Sequence, residues 1–195
     1  MNDDTLKYYE KNAEEFSTYT LNVDFKEVQE SFIKYLKPGA KILDFGCGSG
    51  RDTKYFLSRG FLVEAVDGSS ELCALASKNT GLEVKKLLFQ ELSAKEEYQG
   101  IWACASILHL PMKELKEVMK RLYAAIKPEG ILYASFKYGD FEGNRNGRYF
   151  TDMNEERLET LLKETQGFTP IELWVSGDAR PGREEEKWLN FILKK

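Results

Sequence analysis

The sequence predicts an α/β protein built on a mostly parallel sheet, and three observations carry that reading. Short apolar runs alternate with amphipathic helix patterns across residues 41–137, and parallel strands need crossovers of that kind. The first run, Ile42-Leu43-Asp44-Phe45, breaks into glycines at 46, 48 and 50 before a helix pattern begins. The second run closes on an acidic residue, Asp67, about 20 residues after the glycine turn, the spacing of a nucleotide-binding βαβ unit.

The chain has 195 residues, 42% apolar and 31% charged, which suits one core and one domain over 1–195. That domain divides into a helical cap over 1–37 and a sheet core over 38–195. The net charge of −4 gives no general footprint for nucleic acid, and a local basic patch stays open. No apolar run approaches the roughly 20 residues that span a bilayer. The acidic, polar start at residues 1–4 is unlike a secretory signal. Cys47, Cys73 and Cys104 stand far apart without a Cys-x-x-Cys pair. That spacing speaks against a metal site or a disulfide framework and fits a reducing cytoplasm.

Leu6, Tyr9, Ala13 and Phe16 recur at helical spacing, so a helix is expected over 4–17. A second is expected over 24–36, with Asp24 and Glu27 as a capping box and Pro38-Gly39 as its end. The strand over 41–45 then enters the glycine turn and a helix over 51–59. Strands follow over 61–66, 84–88, 101–105 and 131–137, with helices over 70–79 and from Pro111 to the turn at 127–130. A polar segment containing Gly139, Gly143 and Gly147 fills 138–150. A helix over 153–165, capped by Asp152, precedes two closing strands over 168–175 and 187–193. No helix separates that last pair, so the final strand is expected to run antiparallel. Trp102, Trp174 and Trp188 fall in strand patterns, as core or sheet-face residues.

A strand, a glycine turn and a helix let the backbone approach a nucleotide, and Asp67 is placed to accept hydrogen bonds from ribose hydroxyls. The ligand is therefore read as an adenosine compound. A dinucleotide fingerprint would set its third glycine at position 51, which is Arg51 here. Asp44 stands directly before the glycines, where a carboxylate suits a ligand with a positive group better than a pyrophosphate.

At this point Leu43-Asp44-Phe45-Gly46-Cys47-Gly48-Ser49-Gly50 closely resembles the first motif of class I S-adenosylmethionine-dependent methyltransferases. Val63-Glu64-Ala65-Val66-Asp67-Gly68-Ser69 resembles their second motif, and the segment from Ile101 to His109 their fourth. Lys127-Pro128-Glu129-Gly130-Ile131-Leu132 is similar to the turn before their fifth strand. The chain is also loosely similar to the small tellurite-resistance-related group. The resemblance implies a Rossmann-like sheet of seven strands, order 3-2-1-4-5-7-6, with the last antiparallel and helices on both faces. It implies S-adenosyl-L-methionine as cofactor, with Gly46, Cys47 and Gly48 beside its methionine and ribose, and Asp44 at the amino-acid end. Asp67 would hold the ribose, Gly68 and Ser69 would border the adenine, and Gln90 or Glu91 would accept from the adenine amino group. Ser106 would line the methionine side, and Tyr8 and Tyr9 would fold over the pocket. Gly50 is open to two readings, ligand contact or close helix packing.

In open α/β sheets ligands bind beyond the carboxyl ends of the strands, which gives the acceptor His109, the 138–150 segment and the 176–186 turn. The lone His109 is a candidate general base. Arg148 and Arg180, with Arg145 and Arg183 nearby, are candidates for binding an anion on the acceptor; surface pairing with glutamates is the alternative. The expected partner is a small-molecule acceptor. A macromolecular substrate such as tRNA is the competing reading, and a non-catalytic S-adenosylmethionine-binding protein is a third. Monomer and homodimer both stay open.

Overall fold

The glycine turn sits at the middle of one seven-stranded sheet in the computed structural model, which describes residues 3–165, 167–183 and 185–195. The first two residues of the acidic start lie outside that range. Strand β1 (Lys41–Phe45) pairs in parallel with β2 (Leu62–Asp67) on one side and β4 (Tyr98–Ala103) on the other. Beyond them, β3 (Lys85–Lys86) joins β2 and β5 (Ile126–Lys137) joins β4, both in parallel. The sheet closes with β9 (Lys187–Lys194), antiparallel to both β5 and β8 (Thr169–Gly177). The order β3-β2-β1-β4-β5-β9-β8 is the expected one once a separate hairpin, β6 (Glu142–Arg145) with β7 (Arg148–Thr151), is set aside.

Successive strand residues point to opposite faces, so each central strand feeds two cores. Leu43, Ile101, Leu132 and Leu193 pack with Leu115, Val118 and Leu122 of α6 (Met112–Ala125) and Leu158 and Leu161 of α7 (Glu155–Thr165). Ile42, Trp102, Tyr133 and Ile192 pack with Phe32 of α3 (Lys26–Ile33) and Phe56 of α4 (Arg51–Ser58). A smaller cluster of Cys47, Ala65, Cys73, Ala76 and Val84 seats α5 (Ser70–Thr80). Trp102 is fully buried and stacks on Tyr133 at 3.9 Å, a core position. Trp188 is different: it is half-buried and lines the main cavity.

Several local features depart from the sequence expectation. The first helix is two, α1 (Asp3–Lys11) and α2 (Ala13–Thr20), broken at Asn12, whose backbone leaves the helical region (φ −112°, ψ 19°) while its side chain donates to the Tyr8 carbonyl at 2.7 Å. No capping box opens α3: Phe25 holds the cap position, and Asp24 accepts from the Lys26 N–H at 3.1 Å. The third strand is two residues long. The cap of α7 is Asn154, which accepts from the Arg157 N–H at 2.9 Å, while Asp152 is taken by Arg145 at 2.8 Å. The polar 138–150 segment is a hairpin whose turn is Asn146-Gly147, with φ of 51° and 77° and Arg145 paired to Arg148. Two positive φ angles at an Asn-Gly pair define the two-residue turn that matches strand twist. Among the described residues no helix is long and apolar enough to cross a membrane.

Candidate active site

The carboxyl ends of β1, β2, β4 and β5 open into one cavity of about 180 Å³. Its floor is the glycine turn. Gly46, Gly48 and Gly50 all have φ between 57° and 87°, a region open to glycine at no steric cost. A Cβ on Gly46 would lie 2.5 Å from the Ser106 Cβ, and one on Gly48 would lie 3.1 Å from the Phe16 ring. Both glycines therefore allow a close approach at the cavity floor. Gly50 differs: its Cβ would meet Thr80 at 2.7 Å and Ala76 at 3.4 Å, so it serves the packing of α4 on α5, and it does not line the cavity.

Asp67 ends β2 with both carboxylate oxygens in use. Oδ2 accepts from the Gly48 N–H and Oδ1 from the Ser69 N–H, each at 2.9 Å. Burial outweighs those backbone bonds, and one more from Gly68, and leaves its carboxyl raised to about 6. Ser69 itself caps α5 by accepting from the Leu72 N–H at 3.2 Å and stays off the cavity wall.

Asp44 does not line the cavity. Its side chain is 2% exposed and accepts from the Thr53 hydroxyl at 2.5 Å, behind the turn. Burial, then the charge of Asp52, raises its carboxyl well above the ordinary carboxylate range. The charged wall on that side is Arg51 with Asp52, joined by two bonds of 2.8 Å. Asp52 also accepts from Trp102 Nε1 at 2.8 Å and Gln29 Nε2 at 2.7 Å. Burial works to raise the Asp52 carboxyl, but the Arg51 charge and these bonds outweigh it and hold it below its usual value. The sequence signal for Arg51 was its place at the first helical position after the glycine turn; the Asp52 partners Gln29 and Trp102 lie on distant elements.

Gln90 and Glu91 form a short 3₁₀ turn, Phe89–Glu91, after β3. Phe89 lines the cavity and the other two do not. Glu91 folds back onto the Leu88 N–H at 2.9 Å, whereas Gln90 donates to Glu114 and keeps a buried Oε1 without a partner.

Over the acceptor side, Tyr9 of α1 reaches the far end of β4. Its hydroxyl lies 2.9 Å from His109 Nε2 and accepts from Arg148 Nη1 at 3.4 Å. His109, 3% exposed, places Nδ1 2.6 Å from the Tyr149 carbonyl. A carbonyl only accepts, so Nδ1 carries the proton, and Nε2 accepts from Tyr9. Burial above all, with the Arg148 charge, depresses the ring to about 3, so it is neutral with both nitrogens engaged. Ser106 donates to the Phe45 carbonyl at 2.6 Å and lines the cavity.

The loop arginines divide. Arg180 is bidentate on Asp178, at 2.9 and 2.5 Å, Arg183 reaches Glu186 at 3.4 Å, and Arg145 is held by Asp152. Arg148 has no carboxylate partner among the described residues. Its guanidinium lies over Tyr8 at 4.4 Å and Phe150 at 5.1 Å, with Nε buried and unbonded. Arg148, Arg180 and Arg183 all line the cavity, while Arg145 stands outside it. Of the sequence candidates, the cavity thus gathers Tyr9, Gly46, Cys47, Gly48, Asp67, Gly68, Ser106, His109, Arg148 and Arg180.

This sheet order and cavity position define the fold of class I S-adenosylmethionine-dependent methyltransferases. Residues 42–130 match the family described as a methyltransferase domain. A protein of Geobacillus sp. (strain WCH70) named as a methyltransferase is 32% identical over 113 residues, 54% of this chain and 46% of that one. A Bacillus subtilis protein so named is 29% identical over 112 residues, covering 51% and 45%. The chain thus spans less than half the length of these two relatives. Among solved structures, the 1,6-didemethyltoxoflavin-N1-methyltransferase of Burkholderia thailandensis superposes with a TM-score of 0.77 at 23% identity, over 97% of this chain and 84% of that one. The N-methyltransferase NodS of Bradyrhizobium japonicum gives 0.76 at 16%, over 99% of each.

Proposed function

We propose that the chain is an S-adenosylmethionine-dependent methyltransferase whose acceptor is a small anionic molecule. The residues present fit the cofactor. Asp67 is a buried carboxylate with lone pairs left for ribose hydroxyls. Arg51 puts a guanidinium into the wall at the opposite end, suited to the amino-acid carboxylate. Leu72 and Phe89 supply apolar surface between them. Both solved neighbours carry S-adenosylhomocysteine, which supports this choice.

The bound cofactor supplies a methyl group already activated by its sulfonium. What remains for the protein is alignment of the nucleophile and exclusion of water. Tyr9, Phe16 and Phe150 close the cavity from the side of α1, α2 and the hairpin. His109 holds Tyr9 through Nε2, so the phenol oxygen keeps a fixed position facing the acceptor space. Arg148, the cavity cation without a carboxylate, is the observation that carries the anionic acceptor. The 1,6-didemethyltoxoflavin-N1-methyltransferase neighbour, which acts on a small molecule by its name, supports the same reading. The loop arginines turn into a cavity, which favours a small acceptor over RNA.

The test is to incubate the protein with methyl-labelled cofactor and a cell extract split into small-molecule and RNA fractions. Label is expected in the small-molecule fraction, and label confined to RNA would overturn the reading.

A further inference from the structure

A second cavity adjoins the first, and the residues common to both linings are Lys137, Arg148, Phe150 and Arg183. Three cations and an aromatic ring therefore form the throat between an inner and an outer chamber. Among the described residues, the single carboxylate bonded to these three cations is Glu186, which Lys137 and Arg183 share. Three positive charges against one negative leave the throat two charges positive, in a chain whose net charge is −4. Nearby pairs do not change this balance: Arg145 is matched by Asp152 and Arg180 by Asp178. The excess is also built in. Arg148 is fixed between Tyr8 and Phe150 with its Nε covered and unbonded, and such buried donors are rare without a reason.

We infer that this throat binds the phosphate of a phosphomonoester acceptor, with the group to be methylated reaching inward toward Tyr9. A phosphomonoester carries close to two negative charges at neutral pH and three acceptor oxygens on one atom. It therefore neutralises the throat and offers an oxygen to each cation. A monocarboxylate leaves one charge unmatched, and a dicarboxylate spreads its charges over two separate groups. The cofactor has no phosphate, and its carboxylate is assigned to Arg51, so a phosphate in the throat belongs to the acceptor. Phe150 gives the adjoining part of that molecule an apolar surface. The inference rests on the methyltransferase reading only in naming this ligand the acceptor; the anion site itself stands on the throat.

Calorimetric titration of the cofactor-free protein with inorganic phosphate, sulfate, succinate and acetate tests it. Phosphate and sulfate are expected to bind about tenfold or more tightly than acetate or succinate. Arg148→Met should weaken phosphate by about tenfold or more. Arg183→Gln removes a side chain that is 45% exposed, so folding is not at risk, and should weaken phosphate several-fold while leaving acetate unchanged. Acetate or succinate binding as tightly as phosphate would overturn the inference, as would phosphate binding that Arg183→Gln and Arg148→Met leave intact. A parallel titration with S-adenosylmethionine separates the two readings: no cofactor binding sinks the methyltransferase while leaving the phosphate site to its own result.

Discussion

The Tyr9 hydroxyl and His109 Nε2 meet at 2.9 Å across 100 positions of sequence, and that contact fastens α1 to the end of β4. It also fixes the state of His109. With Nδ1–H donated to the Tyr149 carbonyl and Nε2 accepting from Tyr9, the ring is neutral, and burial holds it to about 3. An unfolded histidine protonates near 6.5. Between about 6.5 and 3 the unfolded chain therefore binds a proton that the folded chain refuses, so the His109 contribution is complete above 6.5 and is lost as pH falls toward 3. His109→Asn is expected to flatten the fall in unfolding free energy between pH 6.5 and 4, measured by urea denaturation. Since the chain has one histidine, nitrogen-15 labelling of histidine reads a single ring. Its resonances should not titrate between pH 5 and 8, and a midpoint near 6.5 would show that the Tyr9 contact is open. Tyr9→Phe leaves Nε2 buried without a donor and should cost about 1–3 kcal/mol.

Asp67 responds to pH in the opposite sense. Its folded carboxyl lies at about 6, above the ordinary 3.8, so in the cofactor-free protein its stabilising contribution is full below 3.8 and lost as pH rises through 6. Ribose hydroxyls donate to the ionised form, so cofactor affinity should rise about tenfold between pH 5 and 7. Asp67→Asn is expected to bind the cofactor at least about tenfold more weakly and with no such pH dependence. Equilibrium dialysis across that range decides it, and an affinity flat in the wild type would remove Asp67 from the ribose.

The strands and helices were legible because hydrophobic runs and glycine stops record local geometry, while the strand order came from the family resemblance. The floor of the cavity was legible for the same local reason: the Gly46 N–H bonds the Val66 carbonyl and the Gly48 N–H the Asp67 carboxylate, between adjacent loops. What escaped depends on residues distant in sequence. Asp44 reads as a ligand carboxylate, yet the alternation of β1 turns it toward Thr53 of α4, and Asp52 takes the cavity position. The division among the arginines could not be read from spacing, since each of Arg145, Arg180 and Arg183 finds a carboxylate on its own loop or hairpin and Arg148 does not. The hairpin was within reach: Asn146-Gly147 between Arg145 and Arg148 is a strong turn signal, masked by the glycines around it.

Gly50 separates packing from ligand contact. Gly50→Ala adds a Cβ 2.7 Å from Thr80 Cγ2 at a φ of 87°, which should cost about 1–2 kcal/mol from the backbone alone and more from the clash. Thr80→Ser removes the methyl that it meets. The double variant Gly50→Ala/Thr80→Ser is therefore expected to recover the clash portion in a double-mutant cycle, with cofactor affinity little changed throughout. A loss of affinity without loss of stability would return Gly50 to the ligand.

Arg51 and Asp52 can be told apart by what each variant leaves behind. Asp52→Asn strips the charge that pairs with Arg51 while the guanidinium stays in the wall, and breaking a buried pair in this way costs about 3–5 kcal/mol. Arg51→Met leaves Asp52 with its bonds from Trp102 and Gln29, so the loss of stability should be smaller. Its effect on binding should be larger. If Arg51 receives the amino-acid carboxylate, Arg51→Met weakens S-adenosylmethionine by about tenfold or more and leaves adenosine, which has no carboxylate, unchanged. Competition between the two ligands at the same site measures the difference directly. Equal weakening of both would place Arg51 as a support of the glycine turn, with some other group holding the carboxylate.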